Sequence, residues 1–101
     1  MAIVTIQEFE VDEGDRSTTN YDGVQERLGI EQDPPAGLLI HTAGFNGSGQ
    51  FLIANVWDSE QSWESFRDGR LAEALKPLME SGEGTPPSAE HSYELHNVVR
   101  P

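Results

Sequence analysis

Two apolar runs, GLLIHTAGF at 37–45 and QFLIANVW at 50–57, are separated only by NGSG. Asn46 and Gly47 both tolerate positive φ, and such a pair between two strand-like runs is a strong hairpin signal. This feature constrains the chain most, because it commits the middle of the sequence to an antiparallel strand pair. Two registers are open. A two-residue turn pairs Phe45 with Ser48 and His41 with Leu52, so that His41 faces away from Asn55 and Trp57. A three-residue turn with a bulge at Gly47 or Gly49 brings His41 onto their face, around a common cavity. The Asn46-Gly47-Ser48 step also matches a glycosylation sequon, but without a secretion signal it reads as a turn. GFNGSG has neither the lysine nor the following helix of a phosphate loop.

On either side of the hairpin the period changes. AIVTIQEF (2–9) is β-branched and partly alternating, which predicts a first strand. VDEGDRSTTN is a polar loop. YDGVQERLGI spaces Tyr21, Val24 and Leu28 as the stripe of an amphipathic helix, weakened by Gly23 and ended by Gly29. EQDPPAG then interrupts, since its prolines remove donors and favour extended geometry before them. After the hairpin, Asp58 or Ser59 is placed as an N-cap, with Gln61 in capping-box position from Asp58 and with Trp63 and Phe66 at helical spacing. RLAEALKPLME continues with Leu71, Ala74, Leu75 and Leu78 on one face, and Gly69 and Pro77 predict two short pieces or a kink. SGEGTPPS is a loop. AEHSYELHNVV alternates at Tyr93, Leu95, Asn97 and Val99, a fourth strand.

The order strand, helix, two strands, helix, strand describes one α+β domain over residues 1–101. Right-handed crossovers leave room for a strand inside each βαβ half, which predicts an antiparallel four-stranded sheet in the order 4-1-3-2 with the helices on one face. That is the ferredoxin-like βαββαβ arrangement. Its other face has no helix layer to cover it, and an exposed apolar sheet face is an interaction surface. Two such sheets packed face to face close a homodimer, a dimeric α+β barrel. A chain of this length buries only about two-thirds of its unfolded surface, so a partner surface helps.

Composition narrows the partners. Six basic against eighteen acidic residues give a net charge of -12, which repels phosphate backbones and anionic lipid. Nucleic acid and membrane are therefore excluded as expectations. There is no cysteine, hence no disulfide or thiol chemistry. MAIVTIQEFEVDEGD has no basic segment and meets acidic residues early, unlike a signal peptide or membrane span, so a cytoplasmic protein is expected.

ANVWDSEQSWESFRDGRLAEALKPL, a strand ending in Val-Trp, an acidic-Ser cap and a Leu-rich helix with aromatics, resembles the dimeric α+β barrel superfamily. Within it the chain is similar to the antibiotic biosynthesis monooxygenase-like proteins. The resemblance implies varied chemistry, including oxidation of aromatic polyketides without a cofactor, haem degradation and small isomerisations. Haem-degrading members are implied to use an Asn on the first strand, a Trp in the helix after the Val-Trp strand and a His about ten residues later. Here the matching places hold Gln7, Phe66 and Lys76. Quinone-forming members are implied to use an Asn, a Trp, an Arg and a Tyr. This chain offers Asn55, Trp57, Arg67 and Tyr93, with Asn and Trp closer together than in that pattern.

Among the residues themselves, His41 is a candidate general base, since an imidazole titrates near pH ~6.5. A structural or interface histidine is the favoured alternative, as it is for His96 on the fourth strand. The two lie on opposite sheet edges and meet only across a dimer seam. Asn55 and Trp57 are the other catalytic candidates, and Trp63, Phe66, Tyr93 and His96 are candidates for contact with a substrate. At helical spacing Trp63 and Phe66 are also ordinary core. His91 and His96 are five apart, on opposite faces of a strand, so no metal is expected, and no cofactor. Two functions remain open: a cofactor-independent monooxygenase acting on an aromatic or hydrophobic molecule, hence an oxidoreductase, or a non-catalytic homodimeric binding or accessory protein.

Overall fold

A computed structural model of the protein describes residues 1–10, 19–47, 49–81 and 87–99. Its elements are β1 (Ile3–Glu10), α1 (Thr19–Leu28), β2 (Leu38–Phe45), β3 (Gln50–Trp57), α2 (Glu60–Phe66), a π-helical turn (Arg67–Leu71), α3 (Ala72–Ser81) and β4 (Ala89–Glu94). The strands form one antiparallel sheet in the order β2-β3-β1-β4, the expected order read from the other edge. Most of the polar loop expected after β1, and most of the loop expected after α3, lie outside the described residues. No helix among the described residues is long and apolar enough to cross a membrane.

Alternation along the strands divides the sheet into two faces. Ile3 and Trp57 are paired neighbours on the inner face, where they form the core with Leu28, Ile30 and Phe66, and where Val24, Trp63, Leu71 and Ala74 pack against them. The inner face is therefore the one the helices cover. The outer face reads in cross-strand rows, Ile40–Val56–Val4–Tyr93 and then Thr42–Ala54–Ile6–His91. Ile40 and Tyr93 are exposed there.

Local chemistry sets where the helices begin and end. Gly29, at φ +64, donates its N–H to the Gln25 carbonyl and ends α1 in the left-handed conformation that glycine adopts freely. At α2 the N-cap is Ser59, whose hydroxyl accepts from the Ser62 N–H at 3.2 Å. Asp58 instead accepts from the Ser62 hydroxyl at 2.6 Å, so the cap engages Ser62 where the sequence predicts Gln61. The Gly37 carbonyl accepts from the Asp58 N–H at 2.8 Å, and a Cβ on Gly37 would collide with Ser62 and Asp58. That close approach holds the start of β2 against the start of α2.

The expected interruption of the long helix is present, and the expected fourth strand needs correction. The break in the long helix falls on the turn containing Gly69, while Pro77 sits inside α3 without dividing it. The fourth strand stops at Glu94, because its partner β1 begins at Ile3, the residue Glu94 pairs with. One further bond, Leu95 N–H to the Ala2 carbonyl, exhausts the ladder. His96, Asn97 and Val99 therefore lie beyond the strand.

Candidate functional site

The hairpin resolves the open register. Asn46 donates its N–H to the Gln50 carbonyl at 3.0 Å, three residues separate them, and Gly49 stands at φ +82. This is the longer, glycine-assisted turn, in which Phe45 pairs with Phe51 and His41 lies directly opposite Asn55. A second irregularity between Leu38 and Ile40 lets Leu38 oppose Trp57. Between the two irregularities β2 turns His41 inward.

On the inner face His41 is held from both sides. Its Nδ1 lies 2.6 Å from Asn55 Oδ1, and its Nε2 lies 2.5 Å from the Tyr21 hydroxyl, reaching down from α1. An amide oxygen can only accept, so Nδ1 carries the proton, and in the neutral ring Nε2 accepts from Tyr21. Burial raises the Tyr21 pKa above its ordinary value, with Asp22 and Glu31 adding to the effect. The phenol thus keeps its proton at neutral pH and donates. The Tyr21 ring lies nearly parallel to His41, with centroids 6.1 Å apart, and edge-on to Phe51 at 5.1 Å.

This chain of bonds is one end of a polar row, His41–Asn55–Thr5–Ser92, that crosses all four strands. Asn55 is 8% exposed and Thr5 is 4% exposed. Thr5 accepts from the Trp57 indole N–H at 3.1 Å. Aromatic residues stand on both sides of the row. Phe9, Phe45 and Phe51 cluster towards the hairpin end, and Trp57, Trp63 and Phe66 towards α2. Where the row meets β4, a groove of about 210 Å³ runs under α2, lined by Thr5, Gln7, Trp63, Arg67, Glu90 and Ser92 among others. A larger depression of about 270 Å³ between α1 and α3 touches none of the sequence candidates. Chemistry, not volume, marks the groove as the more informative of the two.

The candidates separate on these coordinates. His41 and Asn55 come together, and Trp57 shares their face. Trp57 is nevertheless fully buried, wedged against Trp63 and Phe66 with its N–H bonded to Thr5, so it offers no surface to a ligand. Phe66 is core in the same way. Trp63 lines the groove and carries the Arg67 guanidinium 6.0 Å from its ring centroid. Arg67 is bound to Asp68 at 2.9 Å, a contact that lowers the Asp68 pKa through that hydrogen bond. Tyr93 lies on the outer face, stacked on His91, which is itself paired with Glu8 at 2.9 Å. Tyr93 and Arg67 therefore do not meet. His96, expected on the fourth strand, lies past its end and away from the row. Gln7 faces inward and donates to Glu90 at 3.3 Å.

Tyr21 and Thr5 were legible only as structure. The available signals were a tyrosine in an otherwise aliphatic helix stripe and a threonine on the buried parity of an apolar strand.

No protein-family model matches the chain, and no curated protein matches it in sequence. Solved structures do match it in fold. A Chloroflexus aurantiacus protein assigned as an antibiotic biosynthesis monooxygenase superimposes with a TM-score of 0.65 at 14% identity, over 99% of this chain and 98% of that one. The chain has the fold of the antibiotic biosynthesis monooxygenase-like proteins. Within that fold, a heme-degrading protein from Mycobacterium tuberculosis matches with a TM-score of 0.64 at 15% identity, over 99% of this chain and 100% of that one. A variant of SnoaB, a cofactor-independent oxygenase from Streptomyces nogalater, matches at 0.61 and 11% identity, over 97% and 96% of the two chains. These monooxygenase-like neighbours differ in what they do, so the shared fold carries the architecture and leaves the chemistry to the residues of the site.

Proposed function

We propose that the protein binds a small aromatic or hydrophobic molecule between the inner sheet face and the helices, and oxidises it with dioxygen without a bound cofactor. The observation that supports this reading is the Tyr21–His41–Asn55 chain, a histidine oriented at Nδ1 with its Nε2 lone pair aimed at a hydroxyl. A hydroxyaromatic substrate would give its proton to the Tyr21 oxygen as Tyr21 passes its own to His41. The resulting anion is electron-rich enough to react with dioxygen. Conversion of a ring methylene to a carbonyl, CH2 + O2 → C=O + H2O, balances without an external reductant, because carbon loses the electrons that dioxygen gains. Asn55 would hold the imidazolium in place through its amide oxygen. The protein would act as a homodimer through the outer sheet face, whose apolar rows have no helix over them among the described residues.

One feature favours a non-catalytic binding or accessory homodimer. Both nitrogens of His41 are bonded within the chain, which is also what a structural tie between α1 and the hairpin requires. Dioxygen uptake over a panel of hydroxyaromatics separates the two readings. The enzyme reading expects uptake with at least one compound and a loss of about a hundredfold or more in His41→Ala, in the range of general-base effects. Binding without uptake across the panel favours the accessory reading.

A further inference from the structure

Of the four asparagines, Asn20, Asn46, Asn55 and Asn97, only Asn46 is followed by glycine. A glycine nitrogen has no Cβ beside it to hinder attack on the side-chain carbon of a preceding asparagine. Gly47 is exposed, with nothing within 4 Å of the place a Cβ would take. Attack by its backbone nitrogen forms a bond to Asn46 Cγ, breaks the Cγ–Nδ2 bond and releases ammonia. Water then opens the five-membered imide at either carbonyl, giving aspartate or isoaspartate. The sum, Asn + H2O → Asp + NH3, needs no oxidant or reductant.

In the folded chain one neighbour opposes this reaction. Asn46 Oδ1 accepts from the Gln50 backbone N–H at 3.0 Å, and Asn46 Nδ2 donates to Gln50 Oε1 at 2.8 Å. Gln50 is itself held, since its Nε2 donates to Glu10 Oε1 at 2.8 Å from the paired position on β1. The Asn46 amide must turn its carbon towards the Gly47 nitrogen before it can react, and bonds at both of its polar atoms restrict that turn.

We infer that Asn46–Gly47 is a deamidation site that the Gln50 side chain holds in check, and that its conversion displaces His41. Isoaspartate adds a methylene to the main chain within the loop whose length puts Phe45 opposite Phe51 and His41 opposite Asn55. Aspartate keeps the loop length but loses the Nδ2 donor. A carboxylate then stands against Gln50 Oε1, an acceptor, and competes with Glu10 for the Gln50 amide N–H groups. Either product loosens the end of the hairpin that aims His41 at Tyr21. The inference concerns the placement of His41 and holds whatever chemistry the site performs.

Peptide mapping by mass spectrometry during prolonged incubation, on the folded protein and on the same chain unfolded in urea, tests the check. The folded chain should deamidate at Asn46 about tenfold more slowly, the effect of two hydrogen bonds that must break first. Gln50→Ala should remove most of that difference. Gln50→Met, which keeps the side-chain stem and lacks the acceptor, takes its place if Gln50→Ala fails to fold. Equal rates in the folded and unfolded chain, or a Gln50 variant as slow as the unaltered protein, overturn the check. Gly47→Ala should slow the reaction in urea, and an unchanged rate there overturns the imide route. For the consequence, deamidated protein carrying Tyr93→Phe is isolated by anion exchange through its added charge. Its Tyr21 phenolate absorbance should return to the ordinary tyrosine range, and an unchanged Tyr21 titration overturns the displacement of His41.

Discussion

At the scale of single residues, the placement of His41 rests on one turn. Asn46-Gly47 by itself suits two loop lengths, and the side chain of His41 points to opposite sheet faces in the two. Gly49 at positive φ belongs to the longer loop, and only then does the Nδ1–Asn55 bond form. Asn55 was legible as a polar residue in an apolar strand. Its partner Tyr21 was not, because nothing local to the YDGVQERL stripe says what the tyrosine hydroxyl will meet. The raised Tyr21 pKa has a consequence for stability. A folded value above the unfolded one, near ~10, means the contribution is complete below that pH and is lost as pH rises through the folded value. In a Tyr93→Phe variant, phenolate absorbance should therefore report Tyr21 ionising above the ordinary tyrosine range. Stability in denaturant titrations should start to fall in the same alkaline window. Titration at the ordinary value would mean that Tyr21 is not buried against His41.

At the scale of elements, the corner between β3 and α2 is held by a small network. Ser59 caps the helix, Asp58 and Ser62 bond to one another, and Gly37 lies against both. Replacing Asp58 and Ser59 together by alanine should cost about 1 to 2 kcal/mol through unsatisfied helix N–H groups, read from the midpoint of urea unfolding. Gly37→Ala should cost more than about 1 kcal/mol, since its φ of +86 is strained for alanine and its methyl group meets Ser62 and Asp58. Unchanged unfolding midpoints in both variants would show that the corner contributes nothing to stability. The helix that follows was legible as an interrupted one. Glycine and proline both predict interruption, and the structure assigns it to the turn around Gly69. Within that turn Arg70 reaches the carbonyl oxygens of Leu28 and Asp33, at 2.6 and 3.0 Å, and ties the end of α1 to the helical run of α2 and α3.

At the scale of the whole molecule, the outer sheet face carries a prediction of its own. Val4, Ile6, Ala54 and Val56 form an apolar centre with Ile40 and Tyr93 exposed at its margins, and the same face of a second copy is the occupant proposed for it. Light scattering at micromolar concentration should give twice the chain mass, and Ile6→Lys should give the chain mass with far-ultraviolet circular dichroism retained. A monomer in the unaltered protein would remove the dimer. The sequence by itself determined the strands, the first helix, the strand order and the apolar character of both sheet faces, because alternation, helical spacing and turn residues are local signals that survive without tertiary contact. Only the tertiary structure decided the register of the hairpin, the end of β4 and the meeting of Tyr21, His41, Asn55 and Thr5. Each of those depends on which residue stands opposite which across separate strands and helices. A shift of one position changes the face of every side chain in a strand while leaving its sequence pattern as it was.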